Sequence, residues 1–211
     1  SGEGDDEPEG GTLVMPGKYF VSLSKRVGGV TTQLVGPQPF NVTVAGSASM
    51  KPEDRLALHE FQQKVSKLQR AASGALQLAN DLKSRLSSIK KALQETPAPV
   101  DPLLNQAASL EARTNEILRS LRGDVTLRSR NENTPPSISD RVNSIVDDER
   151  LSTSRPTQTH RDGYALAGEQ FASELQKLRV IVSTDLVTLE TAMEVAGAPW
   201  TAGRLPEWKA E

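Results

Sequence analysis

The chain has 211 residues, which is enough for one sizeable domain or for two small ones. Charged residues make up 25% and aromatic residues only 4%, a balance that suits helices packed through Leu, Ala and Val and disfavours an all-β core. The formal net charge of −2 excludes a global attraction to nucleic acid or to an anionic membrane, because phosphate binding needs a clustered basic surface.

The chain contains no cysteine, which excludes disulfides, a thiolate nucleophile and cysteine-based zinc or iron–sulfur sites. No apolar run approaches the roughly 20 residues that span a bilayer, and no signal peptide opens the chain. Because the sequence starts with Ser1 rather than Met, we expect a processed product or a fragment, with any targeting signal upstream.

Residues 1–11 are predicted to form a flexible acidic leader, because they contain five acidic residues, four glycines and no base. Residues 12–46 then form two strand-like runs in which apolar and polar positions alternate, as at Tyr19, Val21 and Leu23. A strand-rich segment therefore comes before any helix.

The pair Gly28-Gly29 between the two runs predicts a tight hairpin turn. Pro37 and Pro39 interrupt the second run, which predicts an edge strand or a bent one. A two-stranded hairpin is at best marginally stable alone in water. We therefore interpret this segment as the end of a β-sandwich whose earlier strands are missing.

From Pro52 onward the apolar positions follow steps of three and four, which predicts a helix over 52–94 about 65 Å long. Its heptad seam consists of Leu58, Phe61, Val65, Leu68, Ala72, Ala75, Ala79, Leu82, Leu86, Ile89 and Leu93.

A second helix is predicted from an N-cap at Asp101 to about Arg122, with a stop at Gly123. Its seam consists of Leu103, Ala107, Leu110, Thr114, Ile117 and Leu121. Residues 123–156 are predicted to cross over with one short helical patch, in which Ile138, Val142 and Ile145 share a face.

A third long helix is predicted from a cap at Thr157 or Thr159 to about Ala196. Its apolar face comprises Tyr164, Phe171, Leu175, Leu178, Val182, Leu186, Leu189 and Met193. The predicted fold is therefore mainly α: residues 47–198 form a long, antiparallel, coiled-coil-like three-helix bundle, preceded by a β-hairpin that completes a β-sandwich.

The sequence offers no catalytic constellation. Its two histidines, His59 and His160, lie outside metal-binding patterns, and no phosphate-binding loop, nucleophile elbow or dinucleotide fingerprint is present. The basic residues of the first helix lack stacking aromatics, which favours a solvated face over nucleic-acid binding. We therefore predict a protein that is not an enzyme, without catalytic residues, cofactor or metal.

Residues 199–211 form a C-terminal tail that carries both tryptophans of the protein. Because exposed tryptophans are costly, we expect this tail to dock onto its own helices or sandwich, or onto a partner. The candidate docking residues are Trp200, Leu205 and Trp208.

Residues 13–23, with the pattern Pro-Gly-x-Tyr-x-Val-x-Leu, and residues 36–42 resemble the closing strands of an Ig-like domain. This domain occurs late in large bacterial secreted proteins that carry sortilin-like β-propellers of BNR repeats and are often labelled glycosyl hydrolases. In that family an all-helical region follows. The resemblance implies an extracytoplasmic location and an accessory, assembly-related role.

The leading hypothesis is a structural or docking module at the C-terminus of a larger secreted β-propeller protein. Its partners would be proteins: the upstream propeller and Ig-like domains or another subunit, with self-association also possible. The alternative is an accessory domain of a propeller-type hydrolase, which positions substrate for a site elsewhere in the chain.

Overall fold

The computed structural model describes residues 14–44, 50–150 and 152–204, so the acidic leader at residues 1–11 lies outside the described part. The protein is mainly helical, and a two-stranded antiparallel hairpin precedes the helices. The chain divides into two compact units. The first comprises residues 1–64 and 148–157, and the second comprises 65–147 and 158–211.

Strands β1 (Gly17–Val27) and β2 (Val30–Val42) form the hairpin. Both residues of its two-residue turn have positive backbone torsions, with φ of 57° at Gly28 and 83° at Gly29. Glycine adopts this conformation without a Cβ clash, which confirms the predicted tight turn.

The pairing between the strands shifts twice, and both extra residues belong to β2. Residues 21–23 of β1 oppose residues 35–38 of β2, and residues 23–24 oppose 33–35. Pro37 lies inside the first shift. The predicted irregularity of the second strand is therefore present, while β1 keeps an unbroken alternation of side chains.

Helix α1 (Pro52–Gln94) spans the predicted range. Glu53 and Asp54 lie in its first turn, where the helix dipole favours negative charge. Ten of the eleven predicted seam residues are buried, and Leu68 is half-buried. Three alanines, at 72, 75 and 79, are among the buried ones, and such small side chains allow a close approach of neighbouring elements.

Helix α2 (Asp101–Arg122) begins one residue earlier than predicted, since Asp101 is its first residue and Val100 occupies the N-cap position. The Asp101 carboxylate still lies in the first turn, where its negative charge interacts favourably with the helix dipole. All predicted seam residues are buried except Leu103, which is half-buried. The buried Thr114 hydroxyl donates to the carbonyl of Leu110, and this hydrogen bond offsets the free-energy cost of burying a polar group.

The segment after α2 contains more helix than predicted. Helix α3 (Val125–Ser129) is a single short turn, and helix α4 (Ile138–Arg150) extends the predicted patch to thirteen residues. Ile138, Val142 and Ile145 are all buried, as their shared face predicted. This face gives α4 a place in the core.

The third long helix contains a wide turn that the sequence pattern missed. Helix α5 (Gln158–Val180) continues through a π-helical turn (Ile181–Asp185) into α6 (Leu186–Val195). Ile181 is fully buried, whereas the predicted Val182 is only half-buried, so that prediction is wrong by one position. The core positions Ile181 and Leu186 are five residues apart, and a π turn accommodates that step.

The end of α6 follows the predicted glycine stop. Gly197 has a φ of 66°, its N–H donates to the carbonyl of Glu194, and the N–H of Ala198 donates to the carbonyl of Met193. These two bonds form a Schellman motif, and Ala198 is buried behind it.

An ion pair and a hydrogen bond between side chains link α1 and α2 within the second unit. Lys90 of α1 pairs with Glu111 of α2, and Arg122 of α2 donates to Asn80 of α1. Because later residues of α1 pair with earlier residues of α2, the two helices run in opposite directions. Helix α2 also contacts α5 and α6.

Within the first unit, α1 contacts the end of α4 and the chain that follows it. The Gln62 amide donates to the carbonyl of Glu149 at 2.8 Å. Arg155 lies 3.9 Å from the carboxylate of Asp54. Leu58 and Phe61 are buried in this unit.

Candidate docking surfaces

The hairpin presents one apolar face, which we call face A. Cross-strand partners share a face, and residues alternate between faces along β1. The rings of Tyr19 and Phe40 oppose each other with centroids 5.9 Å apart. Face A contains eight apolar or aromatic residues, Tyr19, Val21, Leu23 and Val27 of β1 and Val30, Val35, Phe40 and Val42 of β2, together with the polar residues Lys25, Thr32 and Gln38.

Face A is uncovered within the described part of the chain. Leu23 is 57% exposed and Val27 is 69% exposed, and only Tyr19 and Val42 reach intermediate burial. Contiguous apolar surface of this kind marks interaction sites in soluble proteins.

The opposite face, face B, is mostly polar. It includes Lys18, Ser22, Ser24 and Arg26 together with Phe20. The Lys18 ammonium lies 5.6 Å from the centre of the Phe20 ring, a cation–π contact that partly shields this exposed aromatic side chain. The hairpin is therefore amphipathic, with its apolar side on face A.

Of the three predicted docking residues, Trp200 lies in the described part of the chain. It follows the Schellman motif directly, and it is 46% exposed. The Arg204 guanidinium stacks over its indole at 4.4 Å. The same guanidinium pairs with Glu194 of α6 at 2.7 Å and donates to the carbonyl of Pro199. Leu205 and Trp208, the other two predicted docking residues, lie outside the described residues.

A second arginine holds this tail against α1. Arg85 pairs with Glu190 of α6 and donates to the carbonyl of Gly203 at 2.9 Å. A Cβ at Gly203 would lie 2.9 Å from the Arg85 guanidinium carbon, and the φ of Gly203 is 89°. The described tail therefore docks onto helices of its own unit, and it leaves half of the Trp200 surface open.

The outer face of α6 is free of unpaired charge, a feature that a seam-based sequence analysis misses. Asp185, Glu190 and Glu194 are the only charged residues of 180–195, and each forms an ion pair. The hydroxyls of Thr188 and Thr191 donate to backbone carbonyls one turn earlier. Val187 and Val195 remain exposed on this face.

The junction of α3 and α4 is built around Asp140. Its carboxylate accepts from the backbone N–H and the hydroxyl of Ser137, and the Ser137 hydroxyl accepts from the N–H of Asp140, which together form a capping box. Arg128 also pairs with Asp140. Burial alone would raise the pKa of Asp140, but the Ser137 hydrogen bonds and the Arg128 charge outweigh it and lower the pKa.

Arg128, Arg122 and Asp140 also line a surface pocket of about 250 Å³ whose other walls come from α1 and α4. The carboxylate of Asp140 neutralises Arg128, and Arg122 donates to the amide oxygen of Asn80 at 3.4 Å. In this helix junction the Ser137 hydroxyl and the Asp140 carboxylate are engaged in capping α4.

The two histidines belong to different units. His59 shares a hydrogen bond of 2.9 Å with the amide of Gln63, and His160 belongs to α5 in the other unit. Within residues 14–44, 50–150 and 152–204, no three His, Asp or Glu side chains form a group that would hold a metal ion. In the same ranges, no helix is long and apolar enough to cross a bilayer.

Comparison with known proteins finds no matching family model, no matching curated protein and no matching solved structure.

Proposed function

We propose that the protein is a non-catalytic docking module, in which the hairpin completes an Ig-like β-sandwich with strands from another polypeptide segment. The single observation that carries this proposal is the uncovered face A, whose eight apolar or aromatic residues lie on one side of a two-stranded sheet. Sheets of this size need further strands or a covering layer for stability. Docking would supply that layer.

In this proposal the three long helices form an up-down-up bundle that acts as a rigid spacer. Support comes from the opposite directions of α1 and α2, the contacts of α2 with α5 and α6, and the Arg85–Glu190 ion pair between α1 and α6. Charge pairs of this type add little energy when exposed, but they select which helices become neighbours.

The resemblance to the C-terminal regions of sortilin-like β-propeller proteins supplies the proposed context: an extracytoplasmic accessory part of a larger assembly. The partners would be the propeller and Ig-like domains of that protein, or another subunit. Measuring the intact mass of the protein from its native source tests whether these residues belong to a longer polypeptide.

Light scattering tests the docking role directly. The 211-residue chain on its own should be helical yet self-associating, because none of its described residues covers face A. Replacing Val21 and Val35 by threonine keeps the β-branched shape while making face A more polar, and it should reduce this association.

The matched control replaces Val187 and Val195, which are exposed on α6, by threonine. An equal reduction in the control would show that face A is not the cause of association. A clean monomer whose hairpin amides resist hydrogen exchange would contradict the proposal, since the chain would then cover its own hairpin.

A further inference from the structure

The two edges of the hairpin differ in regularity. β1 contains no proline and no extra residue, whereas β2 carries Pro37, Pro39 and both register shifts. Proline has no N–H to donate, and a bulge bends its strand and interrupts pairing. An added strand would therefore find a regular row of donors and acceptors only along β1.

The edges also differ in charge. Lys18, Lys25 and Arg26 are the only charged residues of 14–44, all three are basic, and all lie in β1. None of the three forms an ion pair with another described residue. Lysine on an edge strand discourages pairing with uncharged or identical strands, but the same charge favours an acidic strand.

These charges argue against a second copy of this chain as the occupant. Pairing β1 with β1 of another copy in antiparallel register would place Lys18 near Lys25 and Arg26, and like charges across a ladder destabilise it. The acidic leader at residues 1–11 is also a poor strand, because it lacks apolar residues and contains four glycines and one proline.

We propose that β1 accepts an additional strand in which apolar and acidic residues alternate. This inference rests on the proposed docking function and specifies the partner of the same hairpin. The apolar side chains of the added strand would extend face A beside Tyr19, Val21 and Leu23. Its acidic side chains would lie on face B beside Lys18 and Arg26.

Hydrogen exchange of the full chain with two synthetic peptides tests the proposal. One nonapeptide alternates Val and Glu, and the other alternates Val and Lys. The Val–Glu peptide should protect alternate amides of β1 and bind about tenfold more tightly than the Val–Lys peptide at low salt. The difference should shrink in 1 M salt, where the Debye length falls to about 3 Å.

Charge reversal of β1 provides the matched variant. Lys18→Glu with Arg26→Glu should reverse the preference, so that the Val–Lys peptide binds more tightly. Lys67→Glu with Lys83→Glu makes the same change in net charge at exposed positions of α1 and should leave the preference unchanged.

Four results would overturn the inference. Equal affinity for both peptides would show that charge does not select the added strand. Protection of β2 amides instead of β1 amides would show that the strand adds at the other edge. Protection of alternate β1 amides that rises with protein concentration in the absence of peptide, and that persists when Val21 and Val35 are replaced by threonine, would show that a second copy occupies the edge. If neither peptide binds but the threonine substitutions on face A still reduce association, the strand-addition proposal fails while the docking function stands.

Discussion

The hairpin and the helices both carry periodic apolar residues, yet only the helices bury them. Leu86 in the α1 seam is fully buried, whereas Leu23 on face A is 57% exposed. Each helix satisfies its own backbone and offers one stripe, which a neighbouring helix of the same chain covers. The hairpin satisfies only the inner edges of two strands and has no second layer among the described residues.

This difference shows that the two regions depend on different sources of stability. The helices of the second unit gain about 1.5–3 kcal/mol for each large apolar side chain that they bury. The side chains of face A are exposed and do not gain this free energy of burial. A partner that covers face A would gain it on binding, and the strand pair is already preorganised for that contact.

The largest test of this contrast is a charge in the seam. Leu82 is 4% exposed, so Leu82→Asp should destabilise the protein by more than about 3 kcal/mol, because the carboxylate would lose its water without gaining a partner. Chemical denaturation followed by far-UV circular dichroism measures this change. Ser84→Asp, two residues further along on the exposed side, should stay within about 0.5 kcal/mol. Equal changes in unfolding free energy for the two variants would show that the buried face of α1 is not the one that contains Leu82.

The next test concerns the π turn, which sets the position of the core within the third long helix. Ile181 is fully buried, so Ile181→Ala should cost about 2–4 kcal/mol in unfolding free energy. Val182→Ala, at the half-buried neighbour, should cost less than about 1 kcal/mol. A larger loss of unfolding free energy for Val182→Ala than for Ile181→Ala would show that the simple heptad register holds and that the π turn is absent.

A smaller effect is expected at the α4 capping box. Ser137→Ala should cost about 1 kcal/mol, because the N–H of Asp140 loses its acceptor. The folded state lowers the pKa of Asp140 below its ordinary value of 3.8, so its contribution is complete above that value and is lost as the pH falls through the folded pKa. Denaturation across this acidic range should show a steeper loss for the native protein than for Asp140→Asn.

The control for this pH dependence is Asp147→Asn, an exposed carboxylate later in the same helix. That variant should keep the acid-dependent slope of the native protein. If the slope of unfolding free energy against pH is unchanged in Asp140→Asn and lost in Asp147→Asn, the pH dependence comes from Asp147 and not from Asp140.

The smallest expected effect lies on face A and sharpens the comparison most. Leu23→Ser should change the free energy of unfolding by less than about 0.5 kcal/mol, since the side chain is already exposed. The same substitution should reduce association measured by light scattering. A loss of stability close to that of a seam substitution would mean that a layer covers face A in solution.

Much of the helical architecture follows from the sequence because heptad spacing is a local property. Ten seam residues of α1 and five of α2 are buried where their spacing predicted. The hairpin turn was also predictable, because Gly28-Gly29 tolerates positive backbone torsions that other residues resist. The candidate site was predictable in part: the alternation of Tyr19, Val21 and Leu23 identified one apolar face.

Other features were decided only by tertiary packing. The choice of Ile181 over Val182 depends on which side chain the neighbouring helices accommodate, and a regular 3.6-residue repeat carries no signal for a π turn. The docking of the tail depends on Arg85, which meets Glu190 only when segments 105 residues apart come together, and on Arg204, which turns back onto Glu194 ten residues earlier.

The exposure of face A belongs to the same group. Alternation along each strand determines that the hairpin has an apolar face, because successive side chains of a strand point to opposite sides. Whether a face is covered depends on the elements that pack against it, and local spacing contains no information about them. The sequence by itself therefore determined the helices, the turn and the amphipathic character of the hairpin. Tertiary structure decided the register of the third helix, the partners of the tail and the uncovered state of face A.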